Sequence, residues 1–95
     1  MKKSIITNNM ACCYVCGKPR QAIHHIFMGN PLRKISDANG FTVPLCYHHH
    51  NGSAEGVHFS RQLDLRFKRL CQKIFERTHS REEFIKLIGR NYLEE

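Results

Sequence analysis

The strongest periodicity lies in the C-terminal third of the chain. Phe59, Leu63, Phe67, Leu70, Cys71, Ile74 and Phe75 recur at three- and four-residue spacing, which gathers them on one face of a helix. Arg61, Arg66, Lys68, Arg69 and Lys73 fall on the other faces. The pattern predicts a helix over 60–77 with Ser60 as its N-cap. A second helix is predicted from Ser80, where Glu83 three residues later completes a capping-box pattern. Phe84, Ile85, Leu87 and Ile88 supply its apolar side, and Gly89 marks its end. So short a chain has little other core, so the Phe–Leu stripe is expected to cover the rest of the molecule rather than a partner.

The middle of the chain, 11–59, alternates differently. Gln21–Phe27 suits a short strand, and Phe41–Leu45 suits a second, with Pro44 implying an edge or strand-end position. Gly29-Asn30-Pro31 and Asp37-Ala38-Asn39-Gly40 read as turns between them. Cys46–Asn51 can open a short helix. The expectation is strand, loop, strand, helix. Residues 1–10 form a polar tail containing two Asn and are expected to be flexible and loosely ordered. Residues 11–95 are expected to form one domain, with a core over 11–59 and a helical tail over 60–95.

Charge and cysteine content sharpen this picture. Fifteen Lys and Arg oppose eight Asp and Glu in 95 residues, a net charge of +7 with His neutral. A small basic domain attracts polyanions, nucleic acid first among them, although a solvated basic surface gives the same balance. Met1–Ile6 has no apolar core of signal-peptide length, and no apolar stretch is long enough to span a membrane. The chain therefore reads as cytoplasmic, where thiols stay reduced, and its five Cys with seven His argue for metal rather than disulfides.

Two constellations carry candidate chemistry. Cys13-x-x-Cys16 and Cys46-x-x-His49 are two ligand pairs of the spacing a tetrahedral zinc site needs. Cys12 could replace Cys13, and His50 could replace His49, because the i+3 and i+4 partners of Cys46 share a helix face. The second constellation is His24-His25, His48-His49-His50 and His58. On a strand His24 and His25 point to opposite sides, so they suit two tasks. One can hold a metal and the other can act as a base near neutral pH. His48 and His79 are read as surface residues.

The set Cys13-x-x-Cys16, Ile23-His24-His25-Ile26 and Leu45-Cys46-x-x-His49-His50 resembles the HNH nucleases, also called ββα-metal or His-Me finger nucleases. Gly56-Val57-His58-Phe59 and the ending Phe84–Leu93 look like small phage-encoded members. A phage RecA-dependent HNH nuclease is a more distant likeness. The resemblance implies an α+β fold, a ββα-metal core stapled by a structural zinc and followed by two C-terminal helices. It implies an enzyme that hydrolyses DNA phosphodiester bonds, nicking as a monomer or cutting both strands as a homodimer, in a bacterial host.

Carried over residue by residue, the resemblance makes His25 the general base. His24, His50 and His58 become ligands of the catalytic metal, and Cys13, Cys16, Cys46 and His49 become the structural zinc ligands. Imidazole ligands suit Mn, Ni, Co or Zn better than Mg, while nucleases of this type often use Mg or Mn. The family's middle Asn has its nearest counterpart in Asn39, which could equally be a turn residue. Arg20, Arg33, Lys34 and the basic side of the 60–77 helix are candidate phosphate clamps. The partners implied are DNA and, by analogy, a recombination or phage protein, with no membrane. A second reading is a zinc-ribbon module that binds nucleic acid without catalysis. There one zinc saturates the chain, and His24, His25 and His58 are incidental.

Overall fold

A computed structural model describes residues 2–93. It shows a small α+β protein with a two-stranded antiparallel sheet and four helices among those residues. In chain order the elements are β1 (Ala22–His25), α1 (Leu32–Asn39), β2 (Thr42–Leu45), α2 (Tyr47–His50), α3 (Arg61–Phe75) and α4 (Arg81–Ile88). No helix is long and apolar enough to cross a membrane.

The two strands pair Ala22 with Leu45, Ile23 with Pro44, His24 with Val43 and His25 with Thr42. Pro44 brings no N–H to the ladder, and a two-stranded sheet has only edges, so its place in β2 leaves no partner group stranded. Its carbonyl instead accepts from the Tyr14 N–H at 2.9 Å. That bond fastens the Cys13–Cys16 segment across the sheet.

The connection between the strands holds α1, where loops and turns were expected. Its Gly40 cap is left-handed, with φ +73°, and donates its N–H to the Ser36 carbonyl. Asp37-Ala38-Asn39 is thus the last stretch of a helix rather than a turn. Ser36 is fully buried. Its hydroxyl donates to the Phe27 carbonyl at 2.8 Å and accepts from the Phe27 N–H at 3.2 Å. This reciprocal pair pins α1 against the chain leaving β1.

Residues 2–6 also depart from the loose tail expected of them, while Met1 lies outside the described residues. Lys2 N–H donates to the Asp37 carbonyl, and Ile5 N–H donates to the Gly40 carbonyl. Ser4 is buried and its hydroxyl donates to the Thr42 carbonyl. Ile5 and Ile6 pack on the core. Apolar burial and three tethers hold this segment down, and a side chain at Gly40 would collide with the Lys3 carbonyl.

The two C-terminal helices follow their sequence signals closely. Ser60 accepts from the Leu63 N–H at the start of α3, and Ser80 with Glu83 forms the full capping box of α4. Phe67, Cys71 and Phe75 of α3, with Phe84 and Ile88 of α4, are buried. Phe59 and Ile85, assigned to the apolar faces from periodicity, are exposed. Phe59 precedes the cap, so helical spacing does not govern where its side chain goes.

Phe27, Phe41, Phe75 and Phe84 meet edge-on or tilted with ring centroids 5.6–6.2 Å apart, uniting the sheet with both helices. Each such pair is worth about 0.5–1.5 kcal/mol beyond the area it buries. Buried Gln72 has its amide fully used. It donates to Glu76 and Asn91 and accepts from the Tyr92 N–H, each at 2.8 Å, which ties the segment after α4 back onto α3. The stripe on α3 thus meets the middle of the chain through Phe67, against Tyr14 and His24, and Phe75, against Phe41. The last two residues, Glu94 and Glu95, lie outside the described part of the helical tail.

Candidate metal centres

Among the described residues, two separate groups of side chains that could hold a metal converge, and α2 contributes to both. The helix is a single turn, opened by Cys46 and bonded from His50 N–H to the Cys46 carbonyl at 3.0 Å. The Gln21 side chain accepts from the Tyr47 N–H at 2.7 Å and fixes its start. Consecutive residues on a helix point about 100° apart. His49 and His50 therefore face different centres.

The first centre joins Cys13, Cys16, Cys46 and His49. Gly17, at φ +79°, turns the chain, and its N–H donates to the Cys13 carbonyl at 2.9 Å, which curls the first Cys pair inward. The Cys16 and Cys46 sulfurs lie 3.7 Å apart. Two thiolates on a tetrahedral zinc stand roughly 3.7–3.8 Å apart, given bonds of about 2.3 Å, whereas a disulfide closes to about 2.05 Å. His49 Nδ1 lies 3.4 Å from the Cys46 sulfur and 3.9 Å from that of Cys13, bracketing the roughly 3.6 Å that a zinc-bound sulfur and nitrogen require.

Electrostatics at this centre favour a cation. Burial opposes a thiolate at Cys13, but the backbone N–H groups of Cys46, Cys16 and Val15 outweigh it and hold the thiol below its ordinary pKa. At Cys16 the Lys18 N–H favours the thiolate. Desolvation and the adjoining Cys46 and Cys13 sulfurs prevail and raise the pKa. Sulfurs this close repel as anions until a metal neutralises them. The donor set fits zinc. Cys12 is excluded, because it pairs with Pro19 in an isolated bridge outside the cluster.

The second centre joins His24, His50 and His58. His24 comes from β1 and His50 from α2. His58 is delivered by a turn whose backbone runs along α2, with Val57 N–H donating to the His49 carbonyl at 2.8 Å and His58 N–H to that of His50 at 3.1 Å. Gly56 makes this approach feasible, since a Cβ there would lie 2.7 Å from the His50 carbonyl oxygen. The Nε2 atoms of His50 and His58 are 2.9 Å apart. Two imidazoles on one ion, with bonds of about 2.0–2.1 Å, stand roughly 2.9–3.4 Å apart at right-angle to tetrahedral geometry.

His24 gives the sharpest sign. It is 2% exposed, and its Nε2 is buried without a hydrogen-bond partner among the described residues. Burial, then the adjoining His58, His50 and His25, push its pKa down to about 3. Burial and His58 lower His50 as well. A buried polar atom without a partner costs about 1–3 kcal/mol. A neutral imidazole with an unused nitrogen, facing two more, is the donor set of a three-histidine metal site.

His25, next along β1, faces the other way, as strand alternation requires. Its Nε2–H donates to Asp37 Oδ1 at 3.0 Å. A carboxylate only accepts, so Nε2 carries a proton and, in the neutral ring, the lone pair is on Nδ1. Asp37 was read from sequence as a turn residue. Its carboxylate reaches His25 because α1 exists and Ser36 anchors it. Asn39 does not take this part: its amide donates to the Ile35 carbonyl of its own helix at 2.8 Å. Arg33 and Lys34 are exposed and lie four and three residues before Asp37, one turn away on the same face. Arg20 is exposed just before β1. His48 is exposed and paired with Glu55 at 2.9 Å, and His79 is exposed and stacked on Phe75.

No family model matches the chain, and no curated protein or solved structure is significantly similar to it.

Proposed function

We propose that this protein is a metal-dependent endonuclease of the HNH type, with a ββα-metal core formed by β1, β2 and α2 and stapled by zinc at Cys13, Cys16, Cys46 and His49. One observation carries the reading: a buried His24 with an unpartnered nitrogen, converging with His50 and His58, stands next in sequence to a His25 oriented by Asp37. A non-catalytic zinc module has no need of three further imidazoles drawn together, nor of a partnered base beside them.

His24, His50 and His58 would hold a divalent ion with open positions for a phosphate oxygen. When bound, such an ion supplies Lewis-acid stabilisation to the phosphorane charge and the leaving oxygen. His25 does the protein's proton work. Nδ1 accepts the proton of an attacking water, and the Nε2–H···Asp37 bond keeps the ring turned for it and stabilises the imidazolium that results. Arg33 and Lys34, on the face of α1 that carries Asp37, are placed to bind flanking phosphates, with Arg20 at the entry to β1. Such contacts fix position without reading sequence.

Nicking of supercoiled plasmid tests the proposal. The zinc-loaded protein is assayed with Mg, Mn, Ni or Co, beside His25→Ala. Metal-dependent nicking that falls about 10²- to 10⁴-fold in the variant is expected. A folded, zinc-bound protein that nicks with none of these ions, or a variant that nicks at the normal rate, refutes it.

A further inference from the structure

A groove of about 1000 Å³ runs between the Cys13–Cys16 segment and α3. Tyr14 and Val15 stand on one side, with Arg66, Leu70 and Lys73 on the other. Phe67 lies beneath, with its ring centroid 6.2 Å from that of Tyr14 and 6.5 Å from that of His24. His49 also lines the groove, which therefore borders the Cys-rich centre. Arg66 and Lys73 are exposed and have no ionic or hydrogen-bonding partner among the described residues. They sit two turns apart on one stripe of α3, about 10 Å along its axis. Among the described residues, the one acidic residue that lines the groove, Glu55, is already paired with His48. Beside these cations Tyr14 and Val15 are exposed, at 43% and 41%.

We infer that this groove seats a single-stranded segment of nucleic acid, with Arg66 and Lys73 on its phosphates and Tyr14 stacked on a base. Two observations select this occupant. The unpaired cations call for a polyanion. The exposed aromatic and aliphatic side chains between them call for one that also offers flat apolar faces, and an unpaired strand offers both. A duplex would satisfy the cations but keep its base faces buried in its own stack, leaving Tyr14, Val15 and Leu70 uncovered. The substrate favoured by this groove is thus a single strand, or a junction or flap with an unpaired arm. The inference rests on the reading of the chain as a nucleic-acid enzyme, yet its test does not need catalysis.

Fluorescence anisotropy with the zinc-loaded full chain, no second divalent ion and a labelled mixed-sequence oligonucleotide, single-stranded or annealed, measures this directly. The single strand is expected to bind more tightly than the duplex at equal salt. Tyr14→Ala should weaken single-strand binding about 5- to 50-fold and duplex binding less than twofold. Tyr14→Phe should retain both. Arg66→Ala and Lys73→Ala should each reduce the slope of log affinity against log salt by about 0.7 with the single strand. Lys86→Ala, on α4 and outside the groove, should leave it unchanged. Because Tyr14 lies between two zinc ligands, zinc content is measured for each variant, and the α3 variants decide the matter if Tyr14→Ala loses metal. Wild-type affinity and slope in Arg66→Ala and Lys73→Ala, or a preference for duplex, overturns the inference. Loss of binding in these variants, in a protein that never nicks, would uphold the groove and defeat the nuclease.

Discussion

Replacing His24 with Leu separates the cost of the three-histidine centre from its use. In the folded, zinc-loaded protein without a second ion, His24 titrates near 3, against about 6.5 for an unfolded chain. The unfolded state thus binds more protons between those values, so stability rises with pH across that window. His24 contributes no pH dependence at pH 8. At pH 6.5 it destabilises the native state by about 0.4 kcal/mol, and at pH 5.5 by about 1.4 kcal/mol. Leu cannot titrate and leaves no nitrogen without a partner, which adds a pH-independent gain of about 1–3 kcal/mol, less any misfit of the new side chain. Urea denaturation of both proteins at pH 8, 6.5 and 5.5, with zinc at one equivalent, measures the difference. Both retain the Cys-rich centre, so its own acid sensitivity cancels. The variant should gain about 1.4 kcal/mol relative to wild type between pH 8 and 5.5 and lose the second metal. Parallel stability curves across that range would refute the burial of an unpartnered imidazole at position 24.

The remaining predictions address the scaffold and the base. Cys16→Ser should release zinc and abolish cooperative unfolding, since structural zinc contributes folding energy outright; a zinc-release titration with near-UV circular dichroism checks both. Gly56→Ala places a methyl group against the His50 carbonyl, so it should weaken the second metal at least tenfold by calorimetry while zinc remains at one equivalent. Asp37→Ala should slow nicking about 10- to 100-fold and leave second-metal affinity within twofold. The ¹⁵N shifts of His25 should then report a loss of the Nε2–H tautomer.

Much of this was legible in the chain. The helices α3 and α4 announce themselves through an apolar stripe and two serine caps, both local signals. The Cys13/Cys16/Cys46/His49 cluster, which could hold a metal such as zinc, was legible because a knuckle is encoded in short spacings, and geometry then left Cys12 outside it and placed His49 and His50 in different clusters. Helix α1 was hidden. Pro31 precedes it without a side-chain cap, and Leu32 and Ile35 are its only large apolar residues, so a reader meets Asp-Ala-Asn-Gly as a turn. The i, i+3 pair Leu32–Ile35 followed by a glycine cap was the available clue. Asp37 was missed with the helix, because its relation to His25 is created by tertiary packing at Ser36. The N-terminal segment was misjudged by its polarity, although Ile5 and Ile6 were adjacent signs of burial. His58 lies eight residues beyond His50, and only the backbone pairing along α2 brings the two rings together.

His24 and His25 are consecutive residues on opposite sides of one strand, so the separation between the three-histidine cluster and the His25–Asp37 pair is set by the length of a peptide unit. No loop adjusts it, and no domain movement can disturb it. An insertion or deletion inside β1 would exchange the two sides and dismantle the cluster and the pair at once. On the proposed function, such a scaffold could take new targets by altering the α1 insertion and the groove walls while the spacing of the two histidines stays constant.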